Sequence, residues 1–404
     1  MKSVILTGLV ALASHAGLCS AQTFDPNKAA PQNWDLSKIG TDKTTNASFS
    51  NPVSTENIGD PFMTKYTSEG QEWYLYTFST NDNITLKRSR SLTDNWDNAE
   101  TRVIFNPDAK GKDAGQPWST SIWAPEIHNI SGKWYAIFTA TPDGDNPPPL
   151  AGRHLPDQLP GREPPHSSGS DPWTSDFKMK SMLNTYDQFA IDGTYFFYKE
   201  KMYHIYSCWE TAYSAWPANL CITQMSDPWT VASNFSDRRI ISVPDQPWEK
   251  VPYGRADTSR LSTNEGPQQL TNPKTGQEFV IYSAARVNTP YYCLGMLELV
   301  GNDPMEYQSW RKHTQGCVFH QNTQTGVYGP GHASFTTSPD GKENYIVYHA
   351  QTTANPSADL YRTARIQKFD WNEDGTPNFP LAENGPFPVP AGQQAMQVSS
   401  KNNP

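Results

Sequence analysis

The stretch Ile191-Asp192-Gly193-Thr194-Tyr195-Phe196-Phe197 sets an acid at the head of an aromatic strand. Downstream, Tyr203-His204-Ile205-Tyr206-Ser207 reads aromatic, any residue, aliphatic, aromatic, small hydroxyl. Four relatives of that second strand occur elsewhere: Trp73 to Thr77, Tyr135 to Thr139, Phe279 to Ser283 and Tyr345 to His349. Their fourth positions, Tyr76, Phe138, Tyr206, Tyr282 and Tyr348, recur at intervals of 62, 68, 76 and 66 residues. Recurrence at near-fixed spacing marks a repeat architecture. Short strands separated by turn signals then predict an all-β fold, a five-bladed β-propeller of about four strands per blade.

Composition fits this. The 404 residues include 34 Pro and 26 Gly, which favour turns over long helices. Aromatic residues reach 12%, with 13 Trp and 19 Tyr, leaving rings to stack on a ligand. A formal charge of −9 makes nucleic acid and anionic membranes poor partners, whereas a neutral substrate is indifferent to it.

Residues 1–21 read as a secretory signal: Lys2 supplies the positive start, Val4 to Leu12 the apolar run, and Cys19-Ser20-Ala21 the cleavage site. That run is too short to span a bilayer. With Cys19 removed, Cys208, Cys221, Cys293 and Cys317 remain, an even number suited to two disulfides. Cys208 and Cys221 fall on successive strands, and Cys293 and Cys317 share the next repeat, so the expected pairs are 208–221 and 293–317. Sequons at Asn46, Asn83, Asn129 and Asn234 fit a secreted glycoprotein.

Residues 22–54 are polar and read as an extended arm, with the propeller expected over 55–404 as a monomer. Residues 142–177, holding Pro147-Pro148-Pro149 and Pro164-Pro165, read as an irregular insertion, either a surface loop or a wall of the substrate cleft. The repeats open at Asp60, Glu126, Asp192, Glu265 and His332. First strands of propeller blades line the central channel, so these positions converge. Crowded carboxyls drive their proton affinities apart, leaving one acid and one base, as hydrolysis of a glycosidic bond requires. Taken singly, Asp60 before Pro and Asp192 before Gly are turn formers, and His332 is a hydrogen-bonded core histidine. Glu265 ahead of Gly-Pro is harder to explain as an idle charge. Their common place in the repeat is what favours function.

As an ordered set, Gly59-Asp60-Pro61, Trp123-Ala124-Pro125-Glu126, Ile191-Asp192-Gly193, Asn264-Glu265-Gly266-Pro267 and Gly329-Pro330-Gly331-His332 resemble glycoside hydrolase family 43 over residues 55–385. The resemblance implies a five-bladed propeller that hydrolyses arabinose- or xylose-containing plant polysaccharides with inversion. It implies Asp60 as general base, Glu265 as general acid and Asp192 as the carboxylate that tunes and orients Glu265. His332 matches a central histidine linked through water to calcium, and no cofactor is implied for the chemistry. Arg362 looks like the sugar-contacting arginine, with Arg365 facing the other way, and Trp123 like a pocket wall. Glu126 either joins the chemistry or braces the channel. Tyr292-Cys293-Leu294-Gly295-Met296-Leu297 and Trp371-Asn372-Glu373-Asp374-Gly375-Thr376-Pro377 look most like exo-acting α-L-arabinofuranosidases. Ala333 stands where relatives commonly carry Asn. The expected function is a secreted, inverting exo-α-L-arabinofuranosidase acting on arabinan or arabinoxylan. A β-xylosidase or endo-arabinanase on the same scaffold, or a sugar-binding propeller without catalysis, are the other readings.

Overall fold

The computed structural model describes residues 48–141, 163–167, 170–185, 187, 189–211, 217–231, 237–250, 262–354 and 360–393. The signal segment, most of the arm, the sequons at Asn46 and Asn234, and residues 142–162 and 168–169 of the 142–177 stretch lie outside those residues.

Strands dominate, with only short 3-10 turns beside them. They form five antiparallel sheets of four or five strands and one two-stranded sheet among the described residues. In chain order the first strands of the five sheets are Gly59–Ser68, Thr120–Ile130, Ala190–Tyr198, Asn264–Thr271 and Tyr328–Thr337. Each pairs antiparallel with the next strand, through a two-residue turn in the first three sheets and a longer loop in the last two: Gln71–Ser79, Lys133–Thr141, Lys201–Cys208, Glu278–Ala284 and Asn344–Gln351. Alternation within these strands leaves apolar side chains on both sheet faces, so each sheet is buried against two neighbours.

The core is accordingly divided among the gaps between sheets. Phe62, Leu75 and Leu86 pack with Ile127, Trp134 and Ala136 between the first and second sheets. Ile137, Tyr195 and Met225 join the second and third. Phe196, Ile205 and Leu220 meet Val280, Tyr282 and Leu297 between the third and fourth. Phe279, Ile281 and Met296 meet Ile346, Tyr348 and Phe369 between the fourth and fifth. Met63, Tyr74 and Tyr76 meet Tyr345, Val347 and Ile366, so the last sheet packs on the first. The arrangement is all-β and propeller-like.

Residues ahead of the first sheet strap that last junction. The Val53 amide donates to Ala364 O at 2.9 Å, and Asn51 bonds both the N–H and the C=O of Ile366 at 2.9 Å each. Ser48–Phe49 pairs with Phe387–Pro388 as the small sheet.

Two sequence expectations change. The segment read as irregular to Phe177 contains the third strand of the second sheet, Glu163–Ser167, which pairs with Phe177–Lys180. Pro164 and Pro165 disguised it: they cannot donate, and the ladder slips a residue across them, so only His166 pairs with the second strand, at Tyr135. In the first repeat, the residue equivalent to Thr139, Ser207 and Ser283 is Ser79, opposite Gly59, and not Thr77, which lies opposite Phe62. A shift of two residues preserves strand alternation and so leaves the hydrophobic pattern unchanged. Both disulfides form as expected, Cys208–Cys221 and Cys293–Cys317. No helix among the described residues is long and apolar enough to cross a membrane.

Candidate active site

Every first strand breaks register at the same place, and those of the second and fifth sheets break it once more nearer their start. Asp60-Pro61 stand between the pairs Gly59↔Ser79 and Phe62↔Thr77; Ala124-Pro125 between Trp123↔Thr139 and Glu126↔Ile137; Asp192-Gly193 between Ile191↔Ser207 and Thr194↔Ile205. Gly266-Pro267 and His332-Ala333 repeat this in the fourth and fifth sheets. Two residues thus oppose one aromatic each time: Phe78, Phe138, Tyr206, Tyr282 and Tyr348. These are β-bulges, and a proline in the second place loses nothing because its N–H would have no ladder partner.

The first bulge residue is left-handed throughout: Asp60 at φ 60, Ala124 at 43, Asp192 at 55, Gly266 at 53 and His332 at 45. Asp60, Asp192 and His332 therefore share one phase, whereas Glu265 lies one residue before the first bulge residue of its strand and Glu126 two after that of its own. The expectation of a single common phase was too simple, because a bulge changes which way neighbouring side chains point.

Left-handed backbone costs a non-glycine residue about 1–3 kcal/mol. Amide hydrogen bonds to the preceding sheet offset it. The Asp192 N–H donates to Thr139 Oγ1 at 3.0 Å, Ala124 to Ser79 Oγ at 2.7 Å and His332 to Ser283 Oγ at 2.7 Å. In the first sheet the Asp60 N–H donates to His349 Nδ1 of the fifth, at 3.0 Å.

The side chains converge. Asp60 Oδ1 accepts from Arg362 Nη1 at 3.0 Å and lies 3.1 Å from His332 Nδ1, while Oδ2 accepts from Ser79 Oγ at 2.5 Å. His332 Nδ1 also lies 3.9 Å from Asp192 Oδ2. Glu265 Oε1 accepts from the Tyr292 hydroxyl at 2.7 Å. Asp60, Asp192, Glu265 and His332, spread over 273 positions and four sheets, interact electrostatically as one cluster.

Burial alone would raise the Asp60 carboxyl, but the Arg362 and His332 charges hold it well below the usual carboxylate range. Burial, helped by the Asp60 charge, pushes Asp192 to about 6 against the pull of His332. Burial and then the Asp192 charge push Glu265 to about 7, opposed by the Tyr292 hydrogen bond. Burial would lower His332, yet Asp60 and Asp192 raise it to about 9. One carboxyl is thus firmly ionised beside another that keeps its proton near neutrality.

Arg362 lies over Gly59, where a Cβ would come within 2.1 Å of its guanidinium. Arg365 is buried in the fifth sheet and donates to Asn384 Oδ1, away from the cluster. Trp123, half-buried, donates its indole N–H to Asn81 Oδ1 at 2.6 Å. Glu126 braces the channel: it contacts His128 Nε2 at 2.7 Å and accepts from Gln268 of the fourth sheet, across the centre. Ser79, Tyr292 and His349 escaped the sequence reading. The one available signal was His349, an imidazole where the other repeats carry a hydroxyl.

Among the described residues no group of three or more His, Cys, Asp or Glu side chains is arranged to hold a metal. Calcium takes six to eight oxygen ligands. His332, which shares its Nδ1 with two carboxylates and carries a proton near neutrality, does not supply that shell directly.

A propeller-like scaffold with carboxyls of divergent proton affinity in one cluster fits a hydrolase. The chain belongs to the glycosyl hydrolases family 43, whose sequence profile matches residues 49–377, and it is a glycoside hydrolase. It is 34% identical over 364 residues, 88% of this chain and 67% of the other, to an extracellular exo-alpha-(1->5)-L-arabinofuranosidase of Streptomyces avermitilis. It is 30% identical, over 87% of this chain and 69% of the other, to alpha-L-arabinofuranosidase B of Pyricularia oryzae. The crystal structure of an alpha-L-arabinofuranosidase from Lactobacillus brevis superposes with a TM-score of 0.66 at 28% identity, covering 86% of this chain and 98% of that one.

Proposed function

We propose that this chain is a secreted α-L-arabinofuranosidase that removes terminal arabinofuranosyl residues from arabinan or arabinoxylan with inversion. Its catalytic domain, residues 55–404, is read as a five-bladed propeller behind a signal peptide (1–21) and an arm (22–54). The five sheets packed in cyclic order support the blade count, and the extracellular arabinofuranosidases among its relatives support the substrate class and export. Asn83 and Asn129, the sequons within the described residues, are read as glycosylated.

The observation that carries the mechanism is the split in proton affinity between Asp60 and Glu265. Asp60 Oδ1 is taken by Arg362 and His332, and Oδ2, holding only Ser79, keeps a lone pair for a water proton. Asp60 is the general base. Glu265 is the general acid that protonates the departing oxygen. Asp192 keeps that proton in place, since its charge makes ionisation of Glu265 costly. Arg362, partly exposed beside Asp60, is read as the sugar-contacting arginine, and Trp123 as a wall of the pocket. No cofactor enters the chemistry.

Replacing Glu265 by Ala should cut turnover of an alkyl arabinofuranoside by about 10²–10⁴-fold while the thermal melt stays sharp. Near-normal turnover would refute the acid assignment. Proton NMR of the first-formed sugar tests inversion: the inverted anomer is expected, consistent with carboxyls about 6.5–9.5 Å apart. Release of arabinose alone from arabinan and arabinoxylan identifies exo action; oligosaccharide products would identify endo action.

A further inference from the structure

Tyr292 is fully buried, just ahead of the third strand of the fourth sheet, and touches the cluster only through Glu265 Oε1. Its ring lies flat on His349, with centroids 5.6 Å apart and planes 5° apart. It also fills the space left by Gly331, where a Cβ would come within 2.4 Å of it. Packed on both sides, the phenol cannot swing away from Glu265.

Its hydroxyl has one proton to give. It goes to Glu265 Oε1, at 2.7 Å. Glu265 Oε2 bonds to no described residue.

We propose that Tyr292 is a positioning residue that fixes which oxygen of Glu265 carries the acid proton. With Oε1 accepting from Tyr292, the carboxyl proton resides on Oε2, the oxygen open to the substrate. When the glycosidic C–O bond breaks, that proton passes to the departing oxygen and the electron pair of the O–H bond stays on Glu265. The new carboxylate then keeps the Tyr292 hydrogen bond, stronger to a charged acceptor than to the neutral acid. The role rests on Glu265 being the general acid.

The test compares Tyr292→Phe with the parent enzyme on an alkyl arabinofuranoside, whose leaving group needs a proton, and a 4-nitrophenyl arabinofuranoside, whose leaving group needs little. We expect kcat on the alkyl substrate to fall about 10- to 100-fold with KM little changed. On the nitrophenyl substrate the fall should be much smaller. The alkaline limb of the kcat/KM profile should move to higher pH, because a hydrogen bond that favours the ionised carboxyl has gone. Equal loss on both substrates with an unmoved limb would reduce Tyr292 to packing and overturn the proposal. Should the Phe variant fold poorly, ring-fluorinated tyrosines at 292 keep the packing and change only the hydroxyl's donor strength. A rate on the alkyl substrate indifferent to that strength also overturns it. Glu265→Gln, run in parallel, separates the two readings. If that variant lacks the leaving-group dependence the acid assignment itself fails, and if only Tyr292→Phe lacks it, the positioning role alone fails.

Discussion

Asp60 and Glu265 show how little residue type decides. Both are buried carboxyls, but Asp60 has Arg362 and His332 against one oxygen, whereas Glu265 faces the charge of Asp192. The sign of the pH dependence follows. As the proposed acid, Glu265 must be protonated to act, so kcat/KM should decline as pH rises through about 7. As the proposed base, Asp60 must be ionised, so the acid limb should lie well below the usual carboxylate range. A pH profile with its alkaline limb at 9 would contradict this. Asp60→Asn keeps acceptor oxygen for one neighbour but loses the base, and should cost about 10²–10⁴-fold in kcat, measured at pH 5.5. Asp60, Asp192, Glu265 and His332 were legible as polar groups at the heads of successive repeats, whereas Arg362 was named only by the family resemblance. Ser79 and Tyr292 were not legible. A hydroxyl or an aromatic ring in a strand fits an ordinary sheet face, and only the folded register shows what it bonds.

At the scale of the element, the bulge is the device that aims the site. It brings the Asp60, Asp192 and His332 side chains together, and in the second, third and fifth sheets it leaves the bulge amide for the neighbouring sheet. The dipeptides Asp60-Pro61, Ala124-Pro125, Asp192-Gly193, Gly266-Pro267 and His332-Ala333 carry it, yet no residue type is common to all five, so geometry is what reveals the common motif. Strand positions were readable from alternation; the extra residue, by breaking alternation, hid the true phase of Glu126 and Glu265. Gly59, just before one bulge, tests the device. Gly59→Ala would drive a methyl group into the Arg362 guanidinium. We expect kcat/KM to drop at least tenfold, mainly through Arg362 leaving Asp60, with a fall in melting temperature of only a few degrees. Unchanged kcat/KM would show that Arg362 has another way to reach the carboxylate.

For the whole molecule, the repeat spacing made a ring of sheets foreseeable, while the manner of its closure was not. Nothing in the residues near Asn51 announces that its amide side chain will bracket Ile366, more than three hundred positions later. Long-range pairing of that kind has no local signal. The two disulfides, by contrast, were legible from cysteine count and spacing. Each closes a loop within a single sheet region, spanning 13 and 24 residues, and each should contribute about 3 kcal/mol in the chain-entropy account. Replacing both pairs by serine should therefore lower the melting temperature by roughly 10 °C or more, read by calorimetry, with little change in KM.

The small sheet has a further consequence. Ser48 sits directly across from Pro388, so the two flanks of the described ring are already neighbours. A short peptide could bridge them, and the chain could be reopened at the turn between Ser68 and Gln71, giving a circular permutant that keeps the packed sheets. Such a rewired enzyme should still cleave arabinofuranosides, because the order in which the sheets are synthesised matters less than their each finding two neighbours.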